Sequence, residues 1–329
     1  MSLSAGSSDS FGGGAPASTV AVVGVRFQDL EIEKGVLEPV GARLVTGAGS
    51  EADEIVATAK DAEVVMTGSA PRFTESVLRR LPQCRAIVRY GIGVDNVDVV
   101  AAARLGIAVL NVTDYCTDEV ATHTVALILT LNRRLLEADR TVRAGAWSLK
   151  GLEGVRAPQD EVVGIVGAGA IGSRVGHKLL ALGFQCLVHD PYLEVDWAPM
   201  VGLDQLLAGS DYVTLHMPLV DSTRHLIDAR ALRLMRPASA LVNTGRGGLV
   251  AEDALLEALA SGHLRAAALD VFEQEPPSPE VELTRRQEVI ATPHMAWYSG
   301  RSQLLLRRRA AEQAALVLTG GVKGGDSKR

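Results

Sequence analysis

Four short segments of this 329-residue chain carry side chains whose types and spacing could do chemistry. Three of them close apolar runs with polar residues. "SALVNTGRGGLV" sets Arg246 in a glycine-flanked turn ahead of a helical pattern, where its guanidinium can project into a cleft. "RAAALDVFEQEPP" ends in Asp270 and then offers Glu273 and Glu275 before a proline pair. "ATPHMAWYSG" places His294 directly after an apolar run. A histidine titrates near neutral pH and can donate or accept a proton. A carboxylate beside it can hold the ring and keep it charged, and an arginine can grip a carboxylate with two parallel N–H groups. Each residue alone has a plainer reading: a lone histidine between proline and tryptophan is most often a boundary residue that has found a hydrogen bond.

The fourth segment is "EVVGIVGAGAIGSRVGHKLLALGFQCLVHDPY". Gly167, Gly169 and Gly172, with Ala170 and Ile171 between the last two, form G-x-G-x-x-G. The motif alone is weak in a chain with 33 glycines, but it follows an apolar strand, opens a helix, and is succeeded by a second strand ending in Asp190. The physics fits a dinucleotide turn. Gly167 permits the tight bend, Gly169 lets a pyrophosphate approach the backbone, and Gly172 lets helix and strand pack closely, with the helix N-terminus facing the negative charge. Asp190 would accept hydrogen bonds from the adenosine ribose. A carboxylate there repels a 2′-phosphate and "PYL" offers no compensating cation, so NAD is expected over NADP.

The elements that must position these residues alternate regularly. "TVAVVGV", "ARLVTG", "AEVVMTG", "RAIVRYG" and "IAVLNV" read as buried parallel strands with helices such as "SEADEIVATA", "TESVLRRL" and "DVVAAARL" between them. One long helical pattern follows, from Asp118 to Gly145. A second series then runs "EVVGIVG", "FQCLVHD", "DYVTLHM", "SALVNTG", "RAAALDV", "EVIATP" before a final amphipathic helix and a polar, Gly-rich tail. The pattern predicts an α/β protein of two doubly wound parallel-sheet domains with ligands at the strand C-termini, in a cleft between them.

Composition narrows the class. Apolar residues at 47% and charged residues at 22% describe a globular chain. A net charge of −6 argues against nucleic acid or an anionic membrane as partner. The three cysteines, Cys84, Cys116 and Cys186, are scattered and odd in number, as expected of reduced thiols in the cytoplasm. No Cys or His pairing suggests a metal. The first 18 residues lack a signal-peptide pattern and read as a flexible tail.

Taken together, "RYGIGVDNVD", "DEVATHT", "GIVGAGAIG", "LVNTGRGG", "ALDVFEQEP" and "TPHMAWYS" resemble the D-isomer-specific 2-hydroxyacid dehydrogenases, in that family's order from about Thr19 to Leu318. The last motif, with "RYGIGVDN", is most similar to the branch that contains the C-terminal-binding-protein corepressors and their bacterial enzyme relatives. The resemblance implies a catalytic Arg246, Glu275 and His294, and it favours Glu275 over Glu273 as the partner of the histidine. It implies a carboxylate cradle at Gly91, Ile92 and Gly93, with Arg89 and Trp297 on the substrate side. It also sets Met217 and Pro218 near the adenosine, and Thr244, Gly245 and Asp270 near the nicotinamide. His123 matches a family position on the long helix and reads as structural.

The architecture so implied has a flavodoxin-like substrate domain over 19–117 and 298–329 and a Rossmann NAD domain over 118–297. The apolar face of "VALILTLNRRLL" and the arm after it would form a homodimer contact. The implied activity is NAD(H)-dependent reduction of a small 2-oxo acid to a D-2-hydroxy acid. The alternatives are a phosphite dehydrogenase-like oxidoreductase and an NAD-sensing corepressor-like dimer. The formate enzymes similar to this family carry Gln where Glu275 stands, which sets them aside. The substrate side chain is not legible, because Arg89 suits an anionic group and Trp297 an apolar one.

Overall fold

In the computed structural model, the described residues are 18–25 and 27–321. Residues 1–17 of the expected N-terminal tail, and the polar stretch from residue 322, lie outside them. The chain divides into two compact units, one running to Tyr115 and resuming at Gln303, the other spanning Cys116–Ser302.

In the first unit the strands are β1 (Ser18–Val23), β2 (Ala42–Gly47), β3 (Val64–Thr67), β4 (Ala86–Arg89) and β5 (Ala108–Asn111). They form one sheet in the order β2-β1-β3-β4-β5, every pairing parallel. This is the doubly wound order in which the chain reverses beside its first strand. Ser18 already belongs to β1, one position before the expected start. The helices are α1 (Glu31–Leu37), α2 (Ala52–Ala59), α3 (Glu75–Leu78) and α4 (Val99–Arg104). Ile55, Ala59, Val77, Leu78, Ala101 and Ala102 cover one face of the sheet, against Ala21, Val65, Ile87 and Val109.

Helix α1 has no counterpart among the helices expected from the sequence. Its charges at Glu31, Glu33 and Lys34 mask the inward face, because Glu33 is itself fully buried. The partner that makes this burial tolerable is Arg307, whose Nε and Nη2 donate to the two Glu33 carboxylate oxygens at 2.9 and 2.7 Å. The Tyr90 hydroxyl donates to the same carboxylate at 3.2 Å. A buried charge needs such pairing, and a partner 274 residues away leaves no local trace.

The second unit holds β6 (Val162–Val166), β7 (Gln185–His189), β8 (Tyr212–Leu215), β9 (Ala240–Asn243), β10 (Ala266–Leu269) and β11 (Val289–Ala291). They pair in parallel in the order β11-β10-β9-β8-β6-β7. Beyond β7 the next strand position is reduced to one parallel bridge, Val188 with Met200, where Val201 N–H donates to the Val188 carbonyl at 2.9 Å. Pro199, which has no N–H to donate, directly precedes that bridge.

The helices here are α5 (Thr117–Asn132), α6 (Leu135–Arg143), α7 (Ala170–Ala181), α8 (Leu203–Gly209), α9 (Ala229–Leu234) and α10 (Glu252–Ala260), and α11 (Gly300–Leu318) follows them. Ala121, Val125, Ile128, Val175 and Leu179 pack on one face of the sheet. Leu206, Leu207, Ala231, Leu255 and Leu259 pack on the other.

The single long helix expected from Asp118 to Gly145 is two helices. Asn132 is buried, and its amide donates to Glu161 Oε2 at 2.6 Å and to the Arg156 carbonyl at 3.2 Å. Arg134 then takes a left-handed φ of 47° and donates to the Gly151 carbonyl at 3.1 Å. No Gly or Pro marks the break. Contacts from the following connection impose it.

Candidate active site

The glycine turn between β6 and α7 is built as its spacing requires. Gly167 has a φ of 96°, and a Cβ there would lie 2.7 Å from the His216 carbonyl oxygen. A Cβ on Gly172 would fall 1.9 Å from the Gly167 carbonyl oxygen, so helix and turn touch backbone to backbone. A Cβ on Gly169 would meet nothing within 4 Å. Gly169 is also the residue that caps α7, so the open side of the turn is where unpaired helix N–H groups begin. Two glycines are therefore consumed by packing, and the middle one leaves room for a ligand's phosphates.

Asp190, at the end of β7, accepts from Ala168 N–H at 2.7 Å on one oxygen and from Tyr192 and Leu193 N–H at 2.8 and 3.0 Å on the other. Burial works against its charge, but these three donors outweigh burial and hold the carboxyl below its usual range. Asp190 thus braces the glycine turn and stays ionised, with lone pairs left to accept from a ribose. Met217 is half-buried against the core beside this turn and Pro218 is exposed.

Arg246, Glu275 and His294 come from three strand ends, those of β9, β10 and β11. The backbone around Arg246 is tied by Asn243, whose amide donates to the Arg246 carbonyl at 2.8 Å and accepts from Gly245 N–H at 3.0 Å. A Cβ on Gly247 would stand 1.9 Å from the Phe272 carbonyl carbon and 2.4 Å from Glu273 N. Only glycine lets the Arg246 turn lie against the segment that leads to Glu275. Glu275 Oε1 accepts from Phe272 N–H at 3.1 Å, and its Oε2 lies 2.6 Å from His294 Nδ1. Burial raises the Glu275 carboxyl, yet the His294 bond, the His294 charge, the Phe272 N–H and the Arg246 guanidinium bring it below its ordinary value. Glu273 does not reach the histidine. It turns to His225 and Glu252 instead.

His294 carries a φ of 51°, a left-handed conformation that costs a non-glycine residue about 1–3 kcal/mol. Its N–H donates to the Asp270 carbonyl at 2.8 Å. The Asp270 carboxylate, 1% exposed, accepts from Thr292 Oγ1 at 2.6 Å, Met295 N–H at 2.9 Å and Ala296 N–H at 2.9 Å. Asp270 therefore holds the histidine loop from both sides of His294, a task its sequence pattern did not suggest. Thr292 relays this to His123, whose Nε2 lies 3.2 Å from Thr292 Oγ1. The Thr244 hydroxyl is likewise engaged inside the fold, 2.8 Å from Thr124 Oγ1. Hydroxyls two residues before the histidine and about two turns along α5 were the available signals for Thr292 and Thr124.

Trp297 is half-buried and meets Tyr298 edge to face at 5.5 Å. In the first unit, Arg89 folds over Gly91, where a Cβ would collide with its guanidinium, and Arg89 Nη1 donates to the Tyr90 carbonyl at 2.6 Å. Gly91 has a φ of 137°, and the Ile92 carbonyl accepts from the Asn111 amide at 2.5 Å. The turn through Gly93 is thereby held, with Ile92 and Gly93 half-buried.

Residues 125–296 match the family model described as D-isomer specific 2-hydroxyacid dehydrogenase, NAD binding domain. A glyoxylate reductase from Aeropyrum pernix is 36% identical over 82% of this chain and 84% of its own length. A D-3-phosphoglycerate dehydrogenase from Methanocaldococcus jannaschii is 36% identical over 87% of this chain and 55% of its own. The chain thus spans about half the length of the phosphoglycerate dehydrogenases it matches. Among solved structures, a D-lactate dehydrogenase from Aquifex aeolicus with NAD and lactic acid superposes with a TM-score of 0.84 at 27% identity, covering 94% of this chain and all of that one.

Proposed function

The chain belongs to the D-isomer-specific 2-hydroxyacid dehydrogenase family, and from that premise we propose that it reduces a small 2-oxo acid to a D-2-hydroxy acid with NADH. The observation that carries the reading is the 2.6 Å contact of Glu275 Oε2 with His294 Nδ1. A carboxylate that stays ionised holds the ring at Nδ1 and leaves Nε2 for the reacting carbonyl.

The nicotinamide, when bound, supplies the hydride. The protein's own residues do the rest. Gly167 to Gly172 hold the pyrophosphate with backbone N–H groups, and Asp190 takes the ribose hydroxyls. Met217 and Pro218 would border the adenosine. Thr244, Gly245 and Asp270 would hold the nicotinamide side. Arg246 grips the substrate carboxylate and carbonyl oxygen together and so fixes which face is presented. His294 Nε2 gives the proton to that oxygen, and Glu275 stabilises the ring while it is charged. Arg89, Trp297 and the N–H groups at Gly91, Ile92 and Gly93 complete the substrate contacts in this reading.

The same reading makes the protein a cytoplasmic homodimer. Among the described residues no helix is long and apolar enough to cross a membrane. Leu135, Leu136 and Val142 on α6, with Trp147 and Leu149 after it, are exposed apolar side chains suited to a second copy.

The test is NADH oxidation with a panel of 2-oxo acids, on the wild type and on His294→Ala, with sedimentation of the same samples. Turnover of some oxo acid that the variant abolishes supports the proposal. Tight NADH binding with no oxo acid reduced sinks it, and phosphite oxidation or peptide binding would then take its place.

A further inference from the structure

Behind the Arg246 turn lies a group of charged side chains that the chemistry above does not use. Glu252 opens α10, six residues after Arg246 in the sequence, and Glu273 lies two residues before Glu275. Each glutamate accepts from the other's backbone. Glu273 N–H donates to Glu252 Oε1 at 2.6 Å, and Glu252 N–H donates to Glu273 Oε1 at 3.2 Å. The imidazole of His225 reaches the same Glu273 oxygen, with Nε2 buried at 3.2 Å and outside hydrogen-bond alignment. His225 holds a left-handed φ of 50°, and its N–H donates to the Gly248 carbonyl at 2.8 Å. Ile227 continues this contact as a parallel bridge to Val250.

These bonds join three segments. One carries Arg246 to Glu252, one carries Phe272 to Glu275, and the third is the loop through His225. The first two already touch where Gly247 meets the Phe272 and Glu273 backbone. Two carboxylates brought this close repel unless a cation or a proton intervenes. Burial, and then the negative charge of Glu273, raise the Glu252 carboxyl above its usual range.

We propose that Glu252, Glu273 and His225 form a positioning clasp that sets the Arg246 turn against the loop bearing Glu275, and through it the geometry of the Arg246–Glu275–His294 group. The inference rests on the reductase reading of that group, and it assigns the clasp no contact with substrate or cofactor. Reciprocal backbone bonds define the distance between two chain segments more tightly than one side-chain contact does. A displacement of about 1 Å at reacting groups is enough to cost orders of magnitude in rate.

The test compares Glu273→Ala with Glu273→Gln. Gln keeps the acceptor oxygen and Ala removes it. Glu273→Ala is expected to lower kcat about tenfold while KM for NADH stays within about twofold, and Glu273→Gln is expected to restore most of the rate. A second readout needs no turnover. The His294 ring signals, identified by their loss in His294→Ala, are followed by NMR against pH. In Glu273→Ala their titration midpoint moves by about half a pH unit or more, and in Glu273→Gln it returns. Should Glu273→Ala fail to fold, Glu252→Ala against Glu252→Gln carries the same comparison. An unchanged kcat together with an unmoved His294 titration overturns the clasp, as does a loss of rate that Gln leaves in place. If the wild type reduces no oxo acid, the reductase reading fails, and the His294 titration still decides the clasp.

Discussion

Glu275 and His294, 19 residues apart in the sequence, meet through Oε2 and Nδ1 at 2.6 Å. The contact holds the imidazole ring at Nδ1, and in the proposed reaction Nε2 is the nitrogen that meets the substrate. It also joins two loops with different supports. Glu275 is anchored by the Phe272 N–H, and His294 is held in its left-handed conformation by the Asp270 carbonyl.

Removing the charge while keeping the bond separates these effects. In Glu275→Gln the ring is still held but loses the negative neighbour that favours its protonated form. The charge that favours the proton-donating form is then gone, so reduction should slow about tenfold and the alkaline limb of the profile should change. The kcat–pH profile of the variant against the wild type decides this. A limb that stays in place would mean that another group donates the proton.

Asp190 links cofactor binding to acid stability. Its folded carboxyl lies below its ordinary value, so the stabilisation it lends is present above the unfolded carboxylate range and is lost as pH falls through the folded value. Asp190→Asn should unfold at a lower temperature than the wild type near neutrality, and the gap should close on acidification. NADH affinity should fall about tenfold. Thermal melts from neutral pH into the acid range, with NADH titration by fluorescence, test both.

The glycines of the dinucleotide turn should fail in different ways. Gly172→Ala pushes a methyl onto the Gly167 carbonyl and should cost about 1–3 kcal/mol of stability. Gly169→Ala meets no protein atom, so its melting temperature should stay near that of the wild type while NADH binding weakens about tenfold or more. If Gly169→Ala bound NADH normally, the pyrophosphate would have to lie elsewhere.

Arg307 tests the buried pair of the first unit. Arg307→Met leaves the Glu33 carboxylate buried among Tyr90 and apolar side chains, and should destabilise by about 3–5 kcal/mol. Adding Glu33→Leu should recover much of that loss, because the uncompensated charge is gone. Urea unfolding of the single and double variants measures both, and a double variant no better than the single would show that packing of the arginine is what matters.

Much of this protein was determined by its sequence alone. Among the described residues the eleven strands fall on the short apolar runs, apart from Ser18 at the start of β1, because a buried parallel strand needs an apolar stretch wherever the chain folds. The glycine turn was legible too, since the need for a left-handed or unhindered backbone at Gly167 and Gly172 is local.

The rest depended on partners far along the chain. The choice of Glu275 over Glu273 came from the resemblance, since in "FEQEP" by itself both are acidic and two residues apart. The approach of Phe272 to Gly247 aims one at His294 and the other at Glu252 and His225. The break at Arg134 awaited the burial of Asn132 against Glu161, and α1 awaited Arg307. Asp270 looked like a strand-end acid facing a ligand, and the fold gives its carboxylate three donors from the histidine loop. Hydropathy and turn chemistry act over a few residues and can be read in place. Charge pairing and hydrogen-bond saturation act through space, so only the tertiary structure decided which of the polar side chains face outward to react and which hold the others still.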